Sequence, residues 1–213
     1  MVILDRPLNT ERVLYLCQGI CYNSRKRHCT LFDRGEDTMI YFTSDLHFYH
    51  DNIIRHTNRP YHGFEEMNKA LVCNWNQRVN PQDEVYILGD VTMKGPAYAA
   101  GMLGQLKGCK YLIRGNHDNF VDSREFDPSV FGWIKDYHEL TWQNQKFILF
   151  HYPIEEWNGY FRGTIQLHGH QHNHEDYNYK NLEKGIRRFD VGVDANYMHP
   201  VSAEDIIAFF SME

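Results

Sequence analysis

Apolar residues along this chain gather in two ways, and the difference separates strands from helices. Short continuous runs at residues 39–42 and 85–88 are rich in β-prone side chains and too brief for a buried helix, which predicts central strands. Further strands are expected at 110–113, 133–142, 146–150, 164–167 and 188–193, with glycines and prolines between them. A different period governs 64–79, where Phe64, Met67, Leu71, Trp75 and Val79 recur on one helical face. That stripe is core packing, not a cofactor box. Helices are also expected from Asn52, as its cap, up to a break near Arg59-Pro60, and at 96–106. Ser202-Ala203-Glu204-Asp205 opens a last helix with a start like a capping box. Strands that first alternate with helices and then run together predict a layered α/β protein.

Polar residues recur at the ends of these strands. The run Val85-Tyr86-Ile87-Leu88 ends in Gly89-Asp90, which delivers one acid to the rim of a sheet. Other predicted strands end in Asp45-Leu46-His47, in Gly115-Asn116-His117-Asp118, in His151, and in His168-Gly169-His170-Gln171-His172. An isolated histidine is ordinarily a surface or hydrogen-bonded side chain. Five clusters of oxygen and imidazole donors, each at a strand end, point instead to metal binding. Donors of this kind suit Zn, Mn, Fe or Co, and the lack of cysteine among them argues against a purely structural zinc site.

In this order the clusters resemble the signature of the calcineurin-like metallophosphoesterase superfamily: Asp-x-His, Gly-Asp, Gly-Asn-His-Asp/Glu, a single His, then Gly-His-x-His. The phrases Thr43-Ser44-Asp45-Leu46-His47-Phe48-Tyr49-His50 and Arg59-Pro60 are similar to its small bacterial or phage members. The resemblance implies an α/β fold of two mixed β-sheets packed as a sandwich flanked by helices. It further implies two divalent metal ions, with manganese favoured. Asp45, His47 and His172 would hold one ion, Asn116, His151 and His170 the other, and Asp90 would bridge them at ~3.5–4 Å. The implied reaction is in-line attack on phosphorus by a hydroxide shared between the metals, with His117 protonating or stabilising the leaving alkoxide. Asp118 is expected to orient His117. His50 would face the substrate phosphate or cap the next helix, and Arg59 or Arg55 would contact phosphate or lie at the surface. Asp190 and Asp194 would support the ligands. His168 and His174 are set aside as part of an adventitious His-rich tract, and Arg114 is expected to serve structure as often as binding.

Composition narrows the class. The chain has 213 residues, long enough for one domain with a proper core, and a formal net charge of -6 that gives no general attraction to nucleic acid or anionic membrane. Residues 1–38 are expected to be an extension and 39–213 the phosphoesterase domain. In the extension, Cys17, Cys21, His28 and Cys29 lack the spacing of a zinc finger or ribbon. Five cysteines, an odd number, argue against a disulfide framework, and with neither a signal peptide nor a membrane-length apolar run the expected location is cytoplasmic. A small phosphate-ester substrate is favoured over nucleic acid, and the oligomeric state is not legible. Two alternatives stay open: a nuclease or cyclic-nucleotide phosphodiesterase, and a non-catalytic scaffold of the same fold. Protein dephosphorylation is disfavoured, because Val91-Thr92-Met93-Lys94-Gly95 comes after Gly89-Asp90 where protein phosphatases carry Asp-Arg-Gly. Trp157, Tyr160 and Phe161 either stack on a base or cover the core edge, with a lean to the latter.

Overall fold

The computed structural model describes residues 38–212. Among the described residues, nine strands form two sheets. The first contains β1 (Ile40–Thr43), β2 (Glu84–Ile87), β3 (Cys109–Ile113), β4 (Ile134–Lys135) and β9 (Val201–Ser202), in the order β4-β3-β2-β1-β9. All its pairs are parallel except β1 with β9. The second contains β5 (Tyr137–Trp142), β6 (Gln145–Phe150), β7 (Ile165–His168) and β8 (Arg188–Asp190), in that order, with β5–β6 antiparallel and the rest parallel. Gln143 and Asn144, both at positive φ, form the two-residue hairpin between β5 and β6.

Alternation along the first sheet explains why its strands read as continuous apolar runs. Ile40 and Phe42 of β1, with Tyr86 and Leu88 at β2, face the second sheet and meet Phe147, Leu149 and Leu167 there. The ring centroids of Phe42 and Phe147 are 5.3 Å apart. Val85 and Ile87 face the other way, onto α1 (Asp51–His56), α2 (Phe64–Arg78) and α3 (Pro96–Leu103), where Ile53, Met67, Leu71, Trp75 and Met102 form a second core. Both faces are covered, so neither face of these strands can be polar. The expected sandwich of two mixed sheets flanked by helices is what the chain forms. α5 (Ala203–Phe210) adds Ile206 and Phe210 to the core between the sheets.

The elements depart from the expected ones in several places. The strand expected at 133–142 divides at Asp136 into β4 and β5, which join different sheets, the helix expected at 96–106 ends at Leu103, and β9 is not among the expected strands. Asn52 lies inside α1, whose N-cap position is His50, without a side-chain bond. The strand expected at 188–193 stops at Asp190, because Val191 N then donates to His168 O and Val193 N to Ser44 O, carrying the chain from one sheet to the other. A helix that periodicity does not reveal, α4 (Asp176–Glu183), packs on β8. Its buried face is polar: Asn178 exchanges two hydrogen bonds with the backbone of Asp190, and Asn181 donates to Arg188 O.

No helix among the described residues is long and apolar enough to cross a membrane. Cys73 and Cys109 are each disulfide-bonded, so the expectation against a disulfide framework does not extend to these two residues. The proposed extension, apart from Thr38, and with it the stretch from Cys17 to Cys29, lies outside the described residues.

Candidate metal centre

Because β1, β2 and β3 are parallel and in register, their C-terminal ends lie side by side, and so do the segments that leave them. Backbone bonds join these segments: Asp45 N to Gly89 O at 3.0 Å, His47 N to Asp90 O at 2.9 Å and Phe48 N to Val91 O at 2.9 Å. From the second sheet, Gly169 N donates to His151 O at 3.0 Å, so the ends of β6 and β7 travel together as well. The crossing at 190–193 ties the two sets into one rim.

The rim is built from unusual backbone. Asp45, His47, Asp90, His170 and His172 all have positive φ, between 49° and 70°. Each such residue costs on the order of 1–3 kcal/mol, and strain of this kind concentrates at functional sites. Glycines let the segments approach. A Cβ on Gly169 would lie 2.0 Å from Ser44 Oγ and 2.2 Å from Asp45 Oδ2, and one on Gly115 would lie 2.3 Å from Asp90 Oδ1.

Two ligand groups result. Asp45, His47 and His172 can each offer an atom within 4.8 Å of the others, and Asp90, His151 and His170 do the same. Asp90 stands between the groups, with Oδ2 3.5 Å from His47 Nε2 and 3.6 Å from His151 Nε2. Asn116 joins the second group, its Oδ1 3.0 Å from both His151 Nε2 and His170 Nδ1. Two imidazoles have their tautomers set by groups that can only accept. His151 Nδ1 donates to Leu88 O at 2.7 Å, and His172 Nδ1 donates to Asp194 Oδ2 at 2.8 Å. In both rings the Nε2 lone pair is thereby left for a metal.

These residues fit a pair of divalent cations. Both nitrogens of His47 are buried with no hydrogen-bond partner, and burial holds its pKa well below the ordinary value, so the ring is a neutral donor. Burial pushes the Asp45 carboxyl up to about 8, against the pull of the His172 charge. A metal would give this buried carboxylate a strong positive partner and take the lone pair of the neutral His47 ring. Burial also opposes charge on His172, but the bond to Asp194 and the charge of Asp45 outweigh it and raise that pKa.

The neighbouring residues divide. His117 is half-buried, with its ring centroid 5.5 Å from that of His47 and its backbone N–H on Asp90 Oδ1 at 2.9 Å. His50 also comes to 5.5 Å from the His47 ring, and the helix-capping alternative for its side chain falls away. Asp118 does not orient His117. Its fully buried carboxylate is occupied by the amides of Asp90, Val91 and Gly115 at 2.8–2.9 Å, which locks two loops together. Burial raises its pKa to about 6 in spite of those bonds. Arg59 is not presented to a substrate: its guanidinium is buried against Asp194 and two backbone carbonyls. Arg55 is exposed, and Arg114 pairs with Asp122. His168 is buried between Gly169 O and the Tyr177 hydroxyl, and His174 is exposed. Asp190 accepts from Gly192 N and Asn173 Nδ2, bracing the loop that carries His172. Trp157 is buried and donates to Thr164 Oγ1, covering the core edge, whereas Phe161 is exposed. One neighbour has no sequence signal beyond its place after His151: the Tyr152 ring, 4.6 Å from that of His170 and 4.8 Å from that of His151.

Comparison with known proteins agrees with this architecture. An uncharacterized protein of Methanocaldococcus jannaschii is 37% identical over 171 residues, covering 79% of this chain and 89% of its own. The gene 66 protein of Mycobacterium phage L5 is 28% identical over 184 residues, covering 73% and 86%. The crystal structure of a protein of unknown function from Aquifex aeolicus superposes with a TM-score of 0.63 at 27% identity, over 81% of this chain and 99% of that one. Residues 38–197, which include every strand-end cluster, match the calcineurin-like phosphoesterase family. With that span and this rim of donors, the chain belongs to the calcineurin-like phosphoesterases.

Proposed function

We propose that the protein hydrolyses a small phosphomonoester or phosphodiester with two divalent ions bound at the rim, manganese being the favoured metal. The observation that carries this reading is the pairing of two ligand groups around one shared acid, Asp90. When bound, such a pair supplies an activated water and offsets negative charge on the phosphoryl oxygens. The chain's own residues do the rest. Asp45, His47 and His172 would hold one ion, Asn116, His151 and His170 the other, and Asp90 would serve both. His117, anchored through its backbone to Asp90, hands a proton to the departing oxygen.

The surroundings of His117 favour a small substrate. His117 lines a cleft of about 280 Å³ with Met93, Lys94, Pro96 and Phe120, room for a modest leaving group. The net charge of -6 lacks the basic footprint of a polynucleotide enzyme. A complete donor set disfavours the non-catalytic scaffold.

The test is hydrolysis by manganese-loaded protein of p-nitrophenyl phosphate, bis-p-nitrophenyl phosphate, cyclic nucleotides and an oligonucleotide, with metal content measured alongside. Turnover of the small esters is expected. His117→Ala should keep both metals yet lose ~10²-fold or more on an unactivated ester, and much less on a p-nitrophenyl ester whose leaving group needs no proton. Oligonucleotide cleavage alone would shift the reading to a nuclease; absence of both metal and hydrolysis would leave the scaffold.

A further inference from the structure

Arg59 and Asp194 are 135 residues apart in sequence, yet both side chains are shut off from solvent, at 0% and 1% exposure. Their contact is a two-point fork: Arg59 Nε to Asp194 Oδ1 and Nη2 to Asp194 Oδ2, each at 2.8 Å. The remaining donor capacity of the guanidinium goes mostly to backbone. Nη2 also reaches Asp45 O at 2.7 Å, and Nη1 reaches Leu46 O at 3.1 Å and Met67 Sδ at 3.4 Å. Asp194 in turn accepts the His172 Nδ1 proton through the same Oδ2 that Arg59 Nη2 contacts. One planar cation therefore fixes the peptide of Asp45, at positive φ, the peptide leading into His47, also at positive φ, and the carboxylate that orients His172.

All three of those residues belong to one ligand group. The other group has none of its side chains on Arg59 or Asp194: His151 is oriented by a backbone carbonyl, Leu88 O, Asn116 lies between His151 and His170, and the tie to the first group is the His170 backbone amide on the Asp45 carboxylate. We propose that Arg59 and Asp194 form a single positioning unit that selectively sets the metal affinity of the Asp45–His47–His172 site. The inference rests on the two-metal reading of the rim. It needs arginine specifically, because one plane must serve a carboxylate at two points and two carbonyls. A lysine ammonium has three donors and no fixed fork.

The test is a Co²⁺ titration followed by visible absorption, in the full-length protein. His172→Ala and His170→Ala assign the two binding steps, each variant abolishing its own. Arg59→Lys and Asp194→Asn are expected to weaken only the step that His172→Ala abolishes, by ~10- to 100-fold. Because the two side chains share the fork while each also makes contacts of its own, the double variant should cost less than the sum of the two singles. Equal weakening of both steps would reduce the pair to general loop support, and unchanged affinity would remove it altogether; either result overturns the proposal. Should Arg59→Lys fail to fold by circular dichroism, the nearly isosteric Asp194→Asn carries the test alone. Wild-type protein that takes up no cobalt would instead sink the two-metal reading.

Discussion

At the scale of single residues, the rim depends on what is missing as much as on what is present. Gly169 lies against Ser44 and Asp45, and Ser44 Oγ is itself held on Leu88 O at 2.7 Å, so a new methyl has nowhere to go. Gly169→Ala should displace Asp45, lower stability by ~1–3 kcal/mol and empty the Asp45–His47–His172 site. Metal analysis with a urea melt checks it; full metal content would show that the loops can yield. Asp118 gives the complementary lesson. Its position beside His117 suggests a partner for that ring, but three amides surround its carboxylate. Neighbours in sequence need not face each other, and only the loop path shows which way each one points.

Elements show where local rules suffice. The start of α5 is readable in the sequence, and Ser202 Oγ does accept from Asp205 N at 3.0 Å. Ser202→Ala should therefore cost ~1 kcal/mol in a denaturant melt, and an unchanged midpoint would mean that the cap carries no energy. Lys110 in β3 is less expected. Its ammonium is buried and donates to Leu106 O and Gly108 O, and burial alone lowers its pKa to about 8. An unfolded lysine titrates near 10.4, so between about pH 8 and 10 the unfolded chain holds more protons than the folded one. Stability contributed by this group should therefore rise with pH across that window, by at most ~1.4 kcal/mol per unit. Comparing Lys110→Met with wild type by melts at pH 8 and pH 10 isolates the effect; parallel behaviour of the two proteins would refute it. α4 leaves no mark on the apolar pattern because Asn178 and Asn181 serve the backbone of β8, where an apolar stripe would otherwise mark a buried helix face.

For the whole molecule, the site is a seam between two sheets, so metal binding there would be coupled to folding. Metal-free protein keeps a buried Asp45 and an unpartnered His47 beside Asp90, each an unfavourable burial that a cation relieves. Stripping with a chelator should lower the melting temperature by several degrees, and added Mn²⁺ should restore it in proportion to occupancy. A melting temperature indifferent to both would mean the rim holds no ion. By itself the sequence determined the central strands β1, β2 and β3, the main helices and the ligand types at strand ends, because apolar periodicity and chain turns are local properties. The break of 133–142 into β4 and β5 follows instead from which sheet each half joins. Only the tertiary structure decided that Arg59 faces Asp194 and the backbone, that Asp118 ties loops and that Asp90 stands between two ligand groups. Those roles depend on direction and distance between residues 27 to 135 positions apart, which packing of the two sheets sets and no local pattern encodes.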